Sequence, residues 1–173
     1  MNNHYLKLVV LVLLIFLHSS AETQTRDERT LSFYHTHTRQ SLTTTFVVDG
    51  KFISTALTEI NLFLADFRTG DTVEMDADLL NLIYDVRDSL GSDDVYEIIS
   101  AYRSPATNDM LRQNSSGVAR NSQHLLGKAI DVRLRGVDTA DLRDAALALK
   151  RGGVGYYQSS DFVHMDTGRL RRW

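Results

Sequence analysis

The sequence predicts an α+β domain built on a mostly antiparallel central sheet with flanking helices. Three observations carry this expectation. Strand-like runs stand at both ends of the chain, and apolar residues recur at helical spacing between them. The length of 173 residues, with 43% hydrophobic and 24% charged residues and a single proline, suits one compact domain with a substantial core.

The elements follow in order. Lys7 precedes the apolar run Leu8 to Leu17, and Ser19-Ser20-Ala21 supplies small residues after it. That is the three-part pattern of a secretory signal over 1–21, cleaved after Ala21, with an uncleaved anchor as the alternative. The apolar run is shorter than the roughly 20 residues that span a bilayer, so no stable membrane span is expected after cleavage. No arginine pair precedes it, which favours the general secretory route to a periplasmic or otherwise extracytoplasmic location. Residues 22–30 are polar throughout and read as a flexible lead-in.

The domain proper is expected over 31–173. Leu31–His35 and Thr43–Val48 read as strands, Asp49-Gly50 as a hairpin turn, and Lys51–Ile53 as the return strand. Ser54 is placed to cap a helix whose face is Leu57, Ile60, Leu64 and Phe67, with Gly70 ending it. Asp76 caps a second helix bearing Leu79, Ile83, Val86 and Leu90, with Gly91 just past its end. Val95–Ala101 is a strand. Ser104-Pro105 opens a short helix reaching Arg112, and a polar loop runs from Asn114 to Gln123. Lys128–Leu134 is a strand that alternates Ile130, Val132 and Leu134 on one face with Ala129, Asp131 and Arg133 on the other. Asp138 or Thr139 starts a helix that Gly152-Gly153 stops, and Gly153–Tyr157 with Phe162–Asp166 forms a closing hairpin.

Composition narrows the chemistry. The net charge of −3 gives no basic footprint for nucleic acid. With no cysteine, disulfides, thiolate metal sites and cysteine nucleophiles are excluded, so any metal must be held by His, Asp or Glu. Of the six histidines, His4 and His18 leave with the signal. His124 and Asp131 share one loop-to-strand stretch, and His164 lies in the last strand.

Two imidazoles and a carboxylate suffice for a catalytic zinc site, which uses three protein ligands and leaves a fourth position open to water. Such an ion lowers the pKa of that water to about 7 and polarises a carbonyl. A further carboxylate must then carry protons. Strand periodicity favours Asp166, two residues from His164, whereas Asp161 reaches the site only through a turn or bulge. Spacing also admits a plainer reading, in which Asp131 pairs with Arg103 or Arg133 and His164 is a hydrogen-bonded core residue. His35 and His37 read as solvated or packing residues. The arginines at 169, 171 and 172 read as salt-bridged to an acidic domain, with Trp173 packed; a grip on anionic polymer is the alternative. Tyr156 and Tyr157 suit either a substrate groove or hairpin packing.

The run Ser122-x-His124-x2-Gly127-x-Ala129-x-Asp131, followed by Asp161-x2-His164, resembles the zinc D-alanyl-D-alanine metallopeptidases, grouped with lysostaphin-type peptidases and the hedgehog domain. The stretches Thr36-His37-Thr38, Phe63-Leu64, Arg68-Thr69-Gly70, Ser100 to Pro105 and Phe162 to Gly168 resemble its murein endopeptidase K branch. The resemblance covers about residues 30–173. It implies His124, Asp131 and His164 as zinc ligands, Asp161 as general base, and Arg103 as the group that polarises the substrate carbonyl. It further implies a site-lining place for Ser122; Tyr102, beside Arg103, and Asp166, on the strand face of His164, are further supporting or substrate-lining candidates. Residue 162 is Phe, so the His-x-His pattern of some relatives is absent, and Phe67 stands where the branch commonly has histidine.

The activity so implied is zinc-dependent endopeptidase cleavage of peptidoglycan stem-peptide cross-links. A D-Ala-D-Ala carboxypeptidase and a metal-stabilised wall-binding module are the alternatives. An acidic protein facing an anionic wall also suggests an adaptor partner in the cell wall.

Overall fold

The computed structural model describes residues 27–115 and 117–173. The expected signal over 1–21 and the first part of the lead-in lie outside the described residues. The chain runs β1 (Glu28–His35), β2 (Ser41–Val48), β3 (Lys51–Phe52), α1 (Ser54–Phe63), α2 (Ala77–Ser89) and β4 (Tyr96–Ser100). It continues through α3 (Pro105–Asn114), β5 (Ala129–Leu134), α4 (Thr139–Leu149), β6 (Gly153–Tyr157), β7 (Phe162–Asp166) and β8 (Arg171–Arg172).

The strands form one sheet in the order β3-β2-β1-β4-β5-β7-β6-β8. Only β1–β4 and β6–β8 run parallel; the other junctions are antiparallel, as the α+β expectation requires. The parallel β1–β4 junction needs a long return path, which α1 and α2 provide. Alternation sorts the residues of β5 and β7 by face. Ile130, Val132, Val163 and Met165 join the apolar core with Leu79 and Ile83 of α2 and Leu142 and Ala146 of α4. The opposite face of the same strands carries Asp131, His164 and Asp166. Tyr96 is fully buried, and its hydroxyl donates to the carbonyl of Ile83 at 2.7 Å, tying β4 to α2.

Several local details differ from the sequence expectation. Residues 28–30, expected in the flexible lead-in, belong to β1, because Glu28 and Arg29 pair with Val48 and Val47 of β2. Ladder pairing, absent from local propensity, recruits them. Asp49 and Gly50 do form the turn, with the two positive φ angles of a type I′ hairpin, 52° and 72°. Ser54 is not the cap of α1. The cap position falls to Ile53, whose N–H still bonds the carbonyl of Phe46, so the chain leaves the hairpin and turns helical at once.

Helix α1 also stops at Phe63, before Phe67. The carbonyl of Asp66 accepts from the N–H of Thr69 and Gly70, making a separate turn. Asp76 caps α2 and Ser104 caps α3 by the side-chain bonds expected of them. Helix α4 ends at Lys150, itself left-handed at φ 53°, ahead of the Gly152-Gly153 pair. Strand β8 lay outside the sequence expectation altogether.

Candidate metal centre

His124 sits in a one-turn 3-10 segment, Gln123–Leu126. Ser122 caps that segment, its hydroxyl accepting from the N–H of His124 at 3.3 Å. Gly127 closes it in the left-handed region at φ 66°, where a Cβ would lie 2.7 Å from the carbonyl oxygen of Glu74. Only glycine fits that bend. Nδ1 of His124 contacts the carbonyl of Ala101 at 2.6 Å, and a carbonyl only accepts, so Nδ1 carries the proton and Nε2 offers its lone pair.

Register brings the other two residues together. Asp131 of β5 lies directly opposite His164 of β7. Asp131 Oδ1 is 2.8 Å from His164 Nδ1 and 3.3 Å from His124 Nε2, and the two ring nitrogens are 3.2 Å apart. A tetrahedral ion with bonds of 2.0–2.1 Å to its ligands separates them by about 3.3 Å. The three side chains are buried and converge on one point, so they fit a divalent cation.

Electrostatics at the centre favour a cation. Burial alone would raise the Asp131 carboxyl, but the imidazoles of His124 and His164 beside it outweigh that and hold the group below the ordinary carboxylate range. Burial alone would lower His164, yet its bonds to Asp131 and Asp166 dominate and raise it. Two carboxylates flanking one ring create a demand for positive charge that a divalent ion meets.

Asp166 is fully buried, with its oxygens taken up by neighbours. Its Oδ2 contacts His164 Nε2 at 2.8 Å, and Oδ1 accepts from the N–H of Gly168 at 2.8 Å. Arg171 grips both oxygens, at 3.0 and 2.7 Å. Burial would raise this carboxyl, but the bonds from His164, Gly168 and Arg171 prevail and lower it to about 2. Asp166 thus shares the strand face of His164, as the periodicity expects, and its carboxylate contacts the ring from the side away from Asp131.

Arg103 lines the same cavity, of about 490 Å³, with Ser122, Tyr157, Phe162 and Trp173. Its Nη2 is 4.0 Å from Asp131 Oδ2, while its buried Nε has no partner among the described residues. Burial lowers its guanidinium from the ordinary value. Tyr102 packs against the core and is not among the residues lining the cavity. Asp161 is held away from the ligand triad. It stands at φ 51° just before β7, its side chain 64% exposed, and it lines a neighbouring cavity with Glu97 and Arg133. Thr139 Oγ1 donates to its Oδ1 at 2.9 Å, and Arg133 Nε lies 3.3 Å from its Oδ2.

Other residues resolve as packing. His35 is buried, and its Nδ1 accepts from the N–H of His37 and Thr38. Phe67 stacks on His37 at 4.0 Å. Tyr157 stacks on Phe162 at 4.5 Å and accepts from the indole N–H of Trp173, whereas Arg143 lies over the ring of Tyr156. The sequence reads Arg171 and Trp173 as a salt-bridged, packed tail or a grip on anionic polymer, and does not connect them to His164. The signal that could have done so is the Gly153-x-Gly155 pair, two residues with no side chain on one face of a strand.

Comparison with known proteins agrees with this geometry. Residues 23–173 match the protein family described as peptidoglycan L,D-endopeptidase MepK. The chain is 38% identical over 154 residues to a Haemophilus influenzae protein named a probable peptidoglycan L,D-endopeptidase MepK, covering 88% of this chain and 83% of that one. It is 37% identical over 153 residues to the peptidoglycan L,D-endopeptidase MepK of Escherichia coli K12, covering 88% and 84%. No solved structure matches. The chain belongs to the peptidoglycan L,D-endopeptidase MepK family of peptidases, with its buried His-Asp-His triad where that family's resemblance had led us to expect metal ligands.

Proposed function

We propose that this protein is a zinc-dependent endopeptidase that cleaves L,D bonds in the stem peptides of peptidoglycan. The observation that carries the reading is the buried triangle of His124 Nε2, Asp131 Oδ1 and His164 Nδ1, with edges of 2.8 to 3.3 Å. The nitrogen-rich, thiol-free donor set suits zinc. Bound there, the ion supplies Lewis-acid polarisation of a carbonyl and acidifies a water at its open position.

The protein's own groups supply the rest. His124 and His164 present fixed tautomers, because Ala101 and Asp166 occupy their other ring nitrogens. Arg103 lines the cavity beside Asp131, its guanidinium placed to donate to the carbonyl oxygen as negative charge builds there. Asp161 takes the proton of the attacking water and returns it to the leaving amine. To do so its carboxylate exchanges the exposed contacts with Thr139 and Arg133 for the site, at a cost of about 1 kcal/mol.

Cleavage within a chain, rather than release of a terminal residue, fits the charge inventory. A carboxypeptidase needs a second cation for the substrate's terminal carboxylate. Among the described residues lining the cavity, Arg171 is committed to Asp166, leaving Arg103, 4.0 Å from Asp131, as the other arginine. A location outside the cytoplasm is supported by the peptidoglycan named for the relatives and by the secretory pattern expected over 1–21. No helix among the described residues is long and apolar enough to cross a membrane.

The test is incubation of the protein with purified cross-linked muropeptides, with and without a chelator, and with zinc restored. Loss on chelation, recovery with zinc, and products split at an internal L,D bond support the reading. Release of terminal D-alanine alone identifies a carboxypeptidase. Intact substrate in the zinc-loaded protein identifies a wall-binding module.

A further inference from the structure

Strand β6 lacks side chains where the sheet face meets the triad. Gly155 lies directly opposite His164, and Gly153 opposite Asp166. A Cβ at 155 would stand 2.6 Å from Cε2 of Trp173, and a Cβ at 153 would stand 2.6 Å from Nη1 of Arg171. Two glycines at alternate positions weaken a strand and mark a close approach by something else. Here the approaching group is the segment Arg171–Trp173, whose first two residues pair with β6 as β8. The N–H of Tyr156 bonds the carbonyl of Trp173, and the N–H of Trp173 bonds that of Val154.

The segment reaches the triad at two points. The Arg171 fork clasps Asp166, which in turn holds His164 Nε2. With Nε2 held by Asp166, Nδ1 is the ring nitrogen turned toward Asp131 and His124. The indole of Trp173 lies 5.1 Å from the His164 ring, is half exposed, and lines the cavity beside Tyr157 and Phe162. Its N–H is spent on Tyr157 at 2.9 Å and Arg171 lies over the ring at 5.0 Å, so what the indole offers the cavity is apolar surface.

We propose that Arg171–Trp173 is a working part of the site: Arg171 is a positioning residue for the metal ligand His164, and Trp173 is the platform for an aliphatic substrate side chain flanking the scissile bond. This rests on the metallopeptidase reading above. Its two halves are separable, because Arg171 acts through the metal and Trp173 through the substrate.

The experiment measures zinc affinity by competition with a chromophoric chelator, the electronic spectrum of the cobalt-substituted protein, and the KM and kcat for muropeptides. Arg171→Gln weakens zinc binding by roughly 10- to 100-fold and alters the cobalt spectrum, with a smaller rise in KM than Trp173→Ala gives. Arg171→Lys keeps the charge but loses the fork, and falls between. Trp173→Ala raises KM about tenfold at wild-type zinc affinity, and Gly155→Val, which displaces the indole, does the same. Wild-type zinc affinity and cobalt spectrum in Arg171→Gln overturn the first half; Arg171→Lys decides it if that variant does not fold. An unchanged KM in Trp173→Ala overturns the second half. A wild-type protein that binds no zinc overturns the metallopeptidase reading instead.

Discussion

His164 and Asp166, two residues apart on β7, are joined directly, Nε2 to Oδ2 at 2.8 Å, and Asp166 is otherwise sealed from solvent. A carboxylate so placed aims a ring and has no path to water. Asp166→Asn should therefore weaken zinc binding by roughly 10- to 100-fold, and excess zinc should restore much of the activity. Activity that stays lost at saturating zinc, in a folded protein, would make Asp166 a proton carrier after all.

Arg103 should behave in the opposite way. It lines the cavity, and its Nη2 is 4.0 Å from Asp131. Arg103→Ala is expected to lower kcat/KM by about 10²- to 10³-fold, with zinc affinity little changed and no rescue by added zinc. Equal losses of zinc binding and turnover would show that it serves the ligands.

Asp161 is held by Thr139 at 2.9 Å and by Arg133. If its carboxylate moves to the site during turnover, Asp161→Ala lowers kcat by about 10²-fold or more, while Thr139→Val, which frees the carboxylate, leaves kcat equal or higher. Full activity in Asp161→Ala would assign proton transfer elsewhere.

The sequence contains one tryptophan, and its indole sits 5.1 Å from the His164 ring. Cobalt binding at the triad should quench the intrinsic emission of Trp173 strongly, and zinc should reverse the quenching by competition. Emission indifferent to cobalt would place the ion away from His164.

Asp66 offers a test away from the triad. Its carboxylate accepts from the N–H of Ser104 at 2.8 Å and of Arg68 at 3.0 Å, pinning the turn after α1 to the cap of α3 beside Arg103. Burial would raise this carboxyl, but the hydrogen bonds from Thr107, Ser104 and Arg68 win and lower it to about 2 from 3.8. A depressed value stabilises the fold above the unfolded pKa, and that contribution disappears as pH falls through the folded one. Asp66→Asn should thus cost about 2 kcal/mol at neutral pH in urea unfolding. The gap to wild type should narrow between about pH 4 and about pH 2, and a gap independent of pH would contradict this.

Much of the architecture was legible because it rests on local rules. Asp49-Gly50 demands a tight hairpin, Asp76 and Ser104 carry the cap side chains, and the alternation of 129–134 separates a core face from a polar one. Ser54 misled because the hydrogen bond from Ile53 to Phe46, made across a hairpin, decides where α1 begins. Arg29 could not be read as a strand residue without knowing that Val47 lies opposite.

By itself the sequence determined the α+β class, the thiol-free donor set and the pair of segments that supply His124, Asp131 and His164, since composition, periodicity and motif spacing are properties of neighbours along the chain. The tertiary structure alone decided that Asp131 faces His164, that Asp166 backs the ring while Asp161 is held at Thr139, and that Trp173 fills the space left by Gly155. Those relationships are set by strand register and by the return of a distant segment to the sheet edge. Neither is encoded in the spacing of adjacent residues, because each arises from closing the sheet as a whole.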